Sequence, residues 1–193
     1  MRAVRILAVV YFVFTAIGLL LWRASARTSP PIVEYAVPAT PVDAPSAQLW
    51  FNDMRPNCTA EEVESRLELN PAPATDEGNG YTAVCWAIAG RTTEARALLD
   101  RLPTSFQRWA AGVVFGATHP AVDSGREAEL APVMELVVEY QPNNVMALYH
   151  AGSAAYGNGR SEAARDYLGR FLSAYGPEDG WADNARTMLE ALQ

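Results

Sequence analysis

The feature that most constrains this fold is a recurrence along the chain. Three segments share one order of residue types: Gly90 to Ala95 (GRTTEA), Gly125 to Leu130 (GREAEL) and Gly159 to Ala164 (GRSEAA). Their glycines stand 35 and 34 residues apart. In each, arginine follows the glycine, an acidic residue comes within four positions, and a small or aliphatic residue sits at the fifth. A period of this length marks a supersecondary unit that stacks on copies of itself. Glycine suits the end of a helix, where a left-handed residue turns the chain. Ser161 or its neighbours can then cap the following helix.

The third unit is the clearest: NVMALYHAGSAAYGNGRSEAARDYLGRFLSAYGP, residues 144–177. Leu148, Ala151, Gly152 and Ala155 mark one helix face; Ala164, Leu168 and Phe171 mark the next. Gly152 and Ala164 are small where two helices would cross closely. Pro177 stops the second helix. This unit resembles the tetratricopeptide repeat family, with Leu148, Ala151, Gly152, Tyr156, Ala164 and Leu168 at or beside signature positions. The stretch from Phe171 onward (FLSAYGPEDGWADNARTMLEAL) is similar to tetratricopeptide proteins of the bacterial envelope, where a helix ends at Tyr and Pro and a further helix closes the stack. Trp181, Ala182, Ala185, Met188 and Leu189 share one face of that final helix.

The resemblance implies an all-α fold, a short α-solenoid of helical hairpins over residues 80–193. Its middle unit departs from the pattern. Ser105 to Ala117 reads as a first helix, ATHPAVDS as a long connection, and Pro132 must delay or kink the second helix. The first unit's second helix is short and ends at Leu102-Pro103. Upstream, residues 48–79 form a lead-in segment with one short helix. Thr59 and Glu62 make a capping box for VESRLEL, and Asn70-Pro71-Ala72-Pro73 ends it.

Ile6 to Trp22 is an uncharged, all-round apolar run. As a helix it spans roughly 26 Å, just short of a bilayer core. Arg5 and Arg23 can reach the headgroups, and Trp22 suits the interface. Residues 1–27 thus read as a transmembrane anchor with flanking arginines. The rival is a signal peptide cleaved near Ala24-Ser25-Ala26, but the run exceeds the roughly 7–15 residues of a signal core. Residues 28–47 read as a Pro-rich extended linker. Charge bias on the two sides is slight and places the following domain outside the cytoplasm, periplasmic if the cell is Gram-negative.

Of the fifteen basic residues, four lie in the first 27, where there is no acid; the rest of the chain holds 11 against 22 acidic, a net of −11. Such a domain does not bind nucleic acid by phosphate neutralisation, and it is repelled from anionic lipid. There is no lysine at all, which removes Schiff-base and phosphate-loop lysine chemistry. Cys58 and Cys85 fit no metal or redox spacing. They are either two reduced core residues or one disulfide, the disulfide being the expected state outside the cytoplasm. It would staple the lead-in helix to the first repeat.

No catalytic constellation, phosphate loop or nucleophile elbow appears. His119, before Pro120 in the expected connection, and His150, on a helix, lack further ligands in a recognisable spacing. No metal, cofactor or small-molecule substrate is expected, and no enzyme activity. The expectation is a membrane-anchored scaffold, an accessory subunit of a respiratory, photosynthetic, secretory or envelope-building complex that contacts other protein subunits. The alternative is a free-standing periplasmic adaptor that grips peptides in its groove. By the resemblance, Tyr149, Ser153 and Tyr156 face that groove, with Val84, Ala87 and Ile88 in the first unit; the plainer reading packs them against a neighbouring helix. Trp50 and Phe51 are either core or anchors for a partner.

Overall fold

A computed structural model describes residues 44–193 of the chain. The expected anchor and nearly all of the linker lie outside them. Among the described residues no helix is long and apolar enough to cross a membrane. They form α1 (Ala44–Met54), a 3-10 turn (Arg55–Asn57), α2 (Val63–Leu69), α3 (Asp76–Ile88), α4 (Thr92–Leu99), α5 (Thr104–Ala121), a π turn (Val122–Arg126), α6 (Glu127–Tyr140), α7 (Val145–Gly157), α8 (Ser161–Ala174) and α9 (Gly180–Ala191), with no strand among them.

Local chemistry sets several of these starts. Thr75 is extended, and its hydroxyl accepts from the Gly78 amide at 3.0 Å, opening α3. Asn144 caps α7 through Ala147 N at 3.1 Å, and Asp179 caps α9 through Trp181 N and Ala182 N. Each bond satisfies an amide that a helix start leaves without a partner. Ser161 makes no such bond; it is the first residue of α8. Thr59 accepts from Glu62 N at 3.3 Å, but the turn it caps precedes α2, which begins at Val63.

The repeated glycines are the three residues of positive φ among those described: Gly90 at 77°, Gly125 at 100° and Gly159 at 71°. Gly90 and Gly159 close their helices identically. Gly90 N bonds Ala87 O and Arg91 N bonds Trp86 O; Gly159 N bonds Tyr156 O and Arg160 N bonds Ala155 O. This is the Schellman pattern, which needs a left-handed residue at that point. Gly125 does something different, since it lies inside the π turn that joins α5 to α6.

The helices stack as hairpins in sequence. α3 packs on α4 and α5, α5 on α6, α6 on α7, and α7 on α8; α9 closes the array against α7 and α8. One apolar core runs through it, with Leu99, Val114, Met134, Leu148, Leu168 and Phe171 fully buried. The α7–α8 crossing is as tight as its small residues suggest: a Cβ on Gly152 would stand 2.7 Å from Leu168 Cγ.

Three local expectations need correction. α1 occupies Ala44–Met54, so the end of the expected linker and the start of the lead-in are helical; Pro45 in its first turn costs no bond. Asp76 to Gly80 opens α3. Its glycines serve packing, because a Cβ on Gly78 would meet Pro73 O at 2.0 Å and one on Gly80 the Trp109 ring at 2.6 Å. There is no long connection after Ala117, for α5 continues through Pro120 to Ala121. And α6 begins at Glu127 with Pro132 inside it rather than starting late.

Cys58 and Cys85 form a disulfide, with Cα atoms 5.0 Å apart. It is packed with Met54, Val63 and Ala89 in a small buried cluster of its own. The bond ties the turn after α1 to the last turn of α3. Aromatic packing does the same on the other side: Phe51 stacks on Tyr81 at 4.5 Å, and Tyr81 meets Trp109 edge-on at 4.7 Å.

Candidate functional site

The places where a site can form are the exposed positions and the polar groups left inside. Most of the expected groove residues fall in neither class. Val84 and Ala87 are fully buried in the core, and Tyr149 is buried against Phe171 and Trp181. Ile88 is half-buried against the core, and Ser153 is half-buried. Of the six, Tyr156 alone is exposed. The reason is that α3 and α7 each have helices on several sides, so residues on more than one face of each are enclosed. Phe51 is core, stacked on Tyr81. Trp50 is half-buried, and its indole N–H donates to Asn70 O at 3.0 Å. Leu49 and Leu69 are the large apolar side chains most open to solvent, 67 % and 82 % exposed.

The polar cluster lies in the middle hairpin. His119, on the last turn of α5, Asp123, in the π turn, and His150, in the middle of α7, bring one donor atom each to within 4.8 Å of the others. Asp123 Oδ1 stands 3.5 Å from His119 Nε2 and 3.4 Å from His150 Nε2. Behind His150, Glu127 Oε1 lies 3.3 Å from Nδ1, and the other oxygen of Glu127 accepts from Ser153 Oγ at 3.2 Å. The two imidazoles are 5.1 Å apart between centroids. Phe115 stacks on His119 at 4.5 Å, and Trp181 meets His150 edge-on at 5.8 Å. Three helices and an apolar wall therefore hold one small polar centre.

The π turn makes this possible. His119 and Asp123 are four residues apart, a spacing that puts side chains on one helix face, and Glu127 follows beyond the bend at Gly125. Helix α5, extended through Pro120, carries His119 to the turn, and Gly125 at positive φ lets the chain bend into α6. His150 is 3 % exposed, and burial of a polar ring is costly unless its atoms are partnered. Yet His119 Nε2 and His150 Nε2 are both buried and make no hydrogen bond among the described residues. Burial holds the His119 imidazole below its ordinary value. The Asp123 carboxylate opposes that shift, and His150 adds to it.

The expectation that the histidines lack further ligands thus fails on geometry. The spacing of His119 and Asp123 was the available signal, and reading Pro120 as a chain break hid it. What Asp123 and the two histidines offer is two imidazole nitrogens and a carboxylate oxygen converging on one point, a donor set suited to a divalent transition metal. A third orphaned polar atom, Glu77 Oε2, lies near the start of α3. Burial raises the Glu77 carboxyl above its usual range.

Comparison of the chain with protein families, with characterised proteins and with solved structures gives no match.

Proposed function

We propose that residues 44–193 are a docking module, a short tetratricopeptide-like array that holds another protein rather than catalysing a reaction. In this reading Ile6 to Trp22 anchors the chain in a bacterial inner membrane. The linker then offers the module outside the cytoplasm as an accessory subunit of a larger membrane complex. The observation that carries the reading is the buried disulfide closing the lead-in segment onto the first hairpin. Disulfides persist in oxidising compartments, which agrees with extracytoplasmic placement. The bond also covers the apolar end of the stack, as terminal units of repeat proteins require. The paired Schellman turns at Gly90 and Gly159 support the repeat reading.

The docking positions follow from exposure rather than from the groove. Leu69 and Leu49 are exposed apolar side chains of the lead-in, and Trp50 beside Leu49 is half-buried. Extraction of the full chain from its own membranes in mild detergent, followed by native mass analysis, tests the proposal. Stoichiometric retention in a larger assembly is the expected result, with Leu69→Asp abolishing retention while leaving the melting temperature unchanged. A lone monomer under the same extraction sinks the subunit reading.

A further inference from the structure

The centre between α5, the π turn and α7 has a chemistry that docking does not use. His150 Nδ1 faces the Glu127 carboxylate. A hydrogen bond from Nδ1 to that carboxylate selects the tautomer in which Nε2 offers a lone pair. Nε2 faces a second carboxylate oxygen, Asp123 Oδ1, at 3.4 Å. His119 Nε2 meets the same oxygen from the other side at 3.5 Å. The three atoms converge on one spot, and neither Nε2 makes a hydrogen bond among the described residues.

Nothing nearby neutralises the arrangement. The adjacent Arg126 turns away to Glu129, bonding both carboxylate oxygens at 2.9 and 2.5 Å. Among the described residues no arginine lies within ion-pair distance of Asp123 or Glu127; their ion-pair partners are the histidines. A metal ion between the three atoms would give both Nε2 atoms the partner they lack.

The distances favour the metal. A tetrahedral zinc with bonds of about 2.0–2.1 Å sets its ligand atoms about 3.3–3.4 Å apart. The two His–Asp edges are already within ~0.2 Å of that, and only the His–His edge has to close. The outer contacts have the form of a metal site as well. A ligating imidazole usually donates its other N–H to a carboxylate, which fixes the ring. Glu127 does this for His150, and Ser153 in turn holds Glu127.

We propose that His119 Nε2, His150 Nε2 and a carboxylate oxygen of Asp123 bind one divalent transition-metal ion of the zinc class. Glu127 acts as the positioning residue behind His150. Three protein ligands leave a fourth position. Asp123 is 44 % exposed at its side chain, so that position faces water or a donor from a bound partner. The ion bridges α5, the π turn and α7, and so fixes the one repeated glycine turn that lacks the Schellman bonds. The site stands on its own geometry and does not depend on the docking reading.

The test uses the full chain in mild detergent, stripped by chelator and titrated with Zn²⁺ against a chromogenic competitor. One ion per chain is expected, with a dissociation constant of about 1 μM or tighter. Asp123→Asn alters an accessible group and His119→Gln a half-buried one; each should weaken binding at least tenfold, and metal-free melting of Asp123→Asn should stay that of the parent. Glu127→Gln should weaken it by roughly 10–100-fold. Co²⁺ in the parent should show the visible absorption of a low-coordinate nitrogen–oxygen site, lost in Asp123→Asn. Absence of Zn²⁺ binding up to ~100 μM, or equal affinity in the parent and both ligand variants, would overturn the proposal, the second outcome showing an adventitious ion elsewhere on the chain.

Discussion

At the scale of single residues, two glycines in helices make opposite predictions. Gly152 faces α8, and an added Cβ would sit 2.7 Å from Leu168 Cγ and 3.2 Å from the Leu168 backbone nitrogen. Backbone cannot yield as a side-chain tip can, so overpacking costs about 1–3 kcal/mol. The gain from replacing a helical glycine with alanine is at most about 1 kcal/mol. Gly152→Ala should therefore destabilise the domain. Gly116, on the exposed side of α5, has nothing within 4 Å of its Cβ position. Gly116→Ala should stabilise by about 0.5–1 kcal/mol. Denaturant melts of the pair read the signs directly, and a stabilised Gly152→Ala would mean that the two helices are free to part.

Glu77 gives a pH prediction. It lies in the first turn of α3, where the helix dipole favours a negative charge by about 0.3–1 kcal/mol. Burial outweighs that, and the carboxyl is raised above its ordinary 4.5. A group with a raised folded value binds its proton more tightly when folded. Its contribution is fully present below the ordinary value of 4.5 and is lost as pH rises through the folded one. Glu77→Gln keeps the shape and removes the charge. It should raise the melting temperature at pH 7, leave it nearly unchanged at pH 4, and flatten the slope between. The same slope in parent and variant would show that Glu77 is hydrated and ionises freely.

At the scale of elements, the disulfide is the strongest single constraint on the lead-in segment. It spans 27 residues, and closing a loop of that length in the unfolded chain contributes about 3 kcal/mol on the chain-entropy argument. Reduction should lower the melting temperature by roughly 10 °C for a domain of this size. It should also free α1 and α2 before the rest, so amides in residues 44–69 should exchange first after reduction. Uniform exchange across all helices would show that aromatic packing through Phe51 and Tyr81 holds α1 without the bond.

The elements also show which parts of the fold were legible in the sequence. The glycine turns were, because a left-handed residue has few alternatives; all three repeated glycines have positive φ. The small residues at the α7–α8 crossing were legible for the same reason, since close approach admits only them. The prolines misled. Pro120 removes one amide near the end of α5, and the carbonyl it abandons belongs to exposed Gly116, where water can take the bond. Pro132 sits inside α6, which the buried Leu130, Val133, Met134 and Val137 hold in place. Local rules price the lost bond but not the packing that offsets it. The polar centre was illegible in turn, since His119 reaches Asp123 only if the helix runs through Pro120. At the groove positions the plainer packing reading fits Val84, Ala87 and Tyr149, which the short array encloses, while Tyr156 stays exposed.

At the scale of the whole molecule, charge decides how the module behaves near a membrane. Residues 28–193 carry a net of −11, and the ion pairs on the helices, such as Arg96 with Glu139 and Arg170 with Asp166, engage arginines without removing the excess. Surface pairs of this kind contribute little to stability, but they leave few free positive side chains to meet a phosphate headgroup. A domain of that sign is pushed from an anionic leaflet over about one Debye length, ~8 Å at physiological salt. Residues 28–193 produced without the apolar run should stay in the supernatant with phosphatidylserine-rich vesicles at low and at moderate salt. The full chain should enter the pellet at both, because apolar burial of Ile6 to Trp22 does not screen. If the shortened chain sediments at low salt and is released at moderate salt, a positive patch faces the lipid, and the module lies against the bilayer instead of standing off it. If the full chain remains in the supernatant, the apolar run is not an anchor, and the accessory-subunit proposal loses its tether.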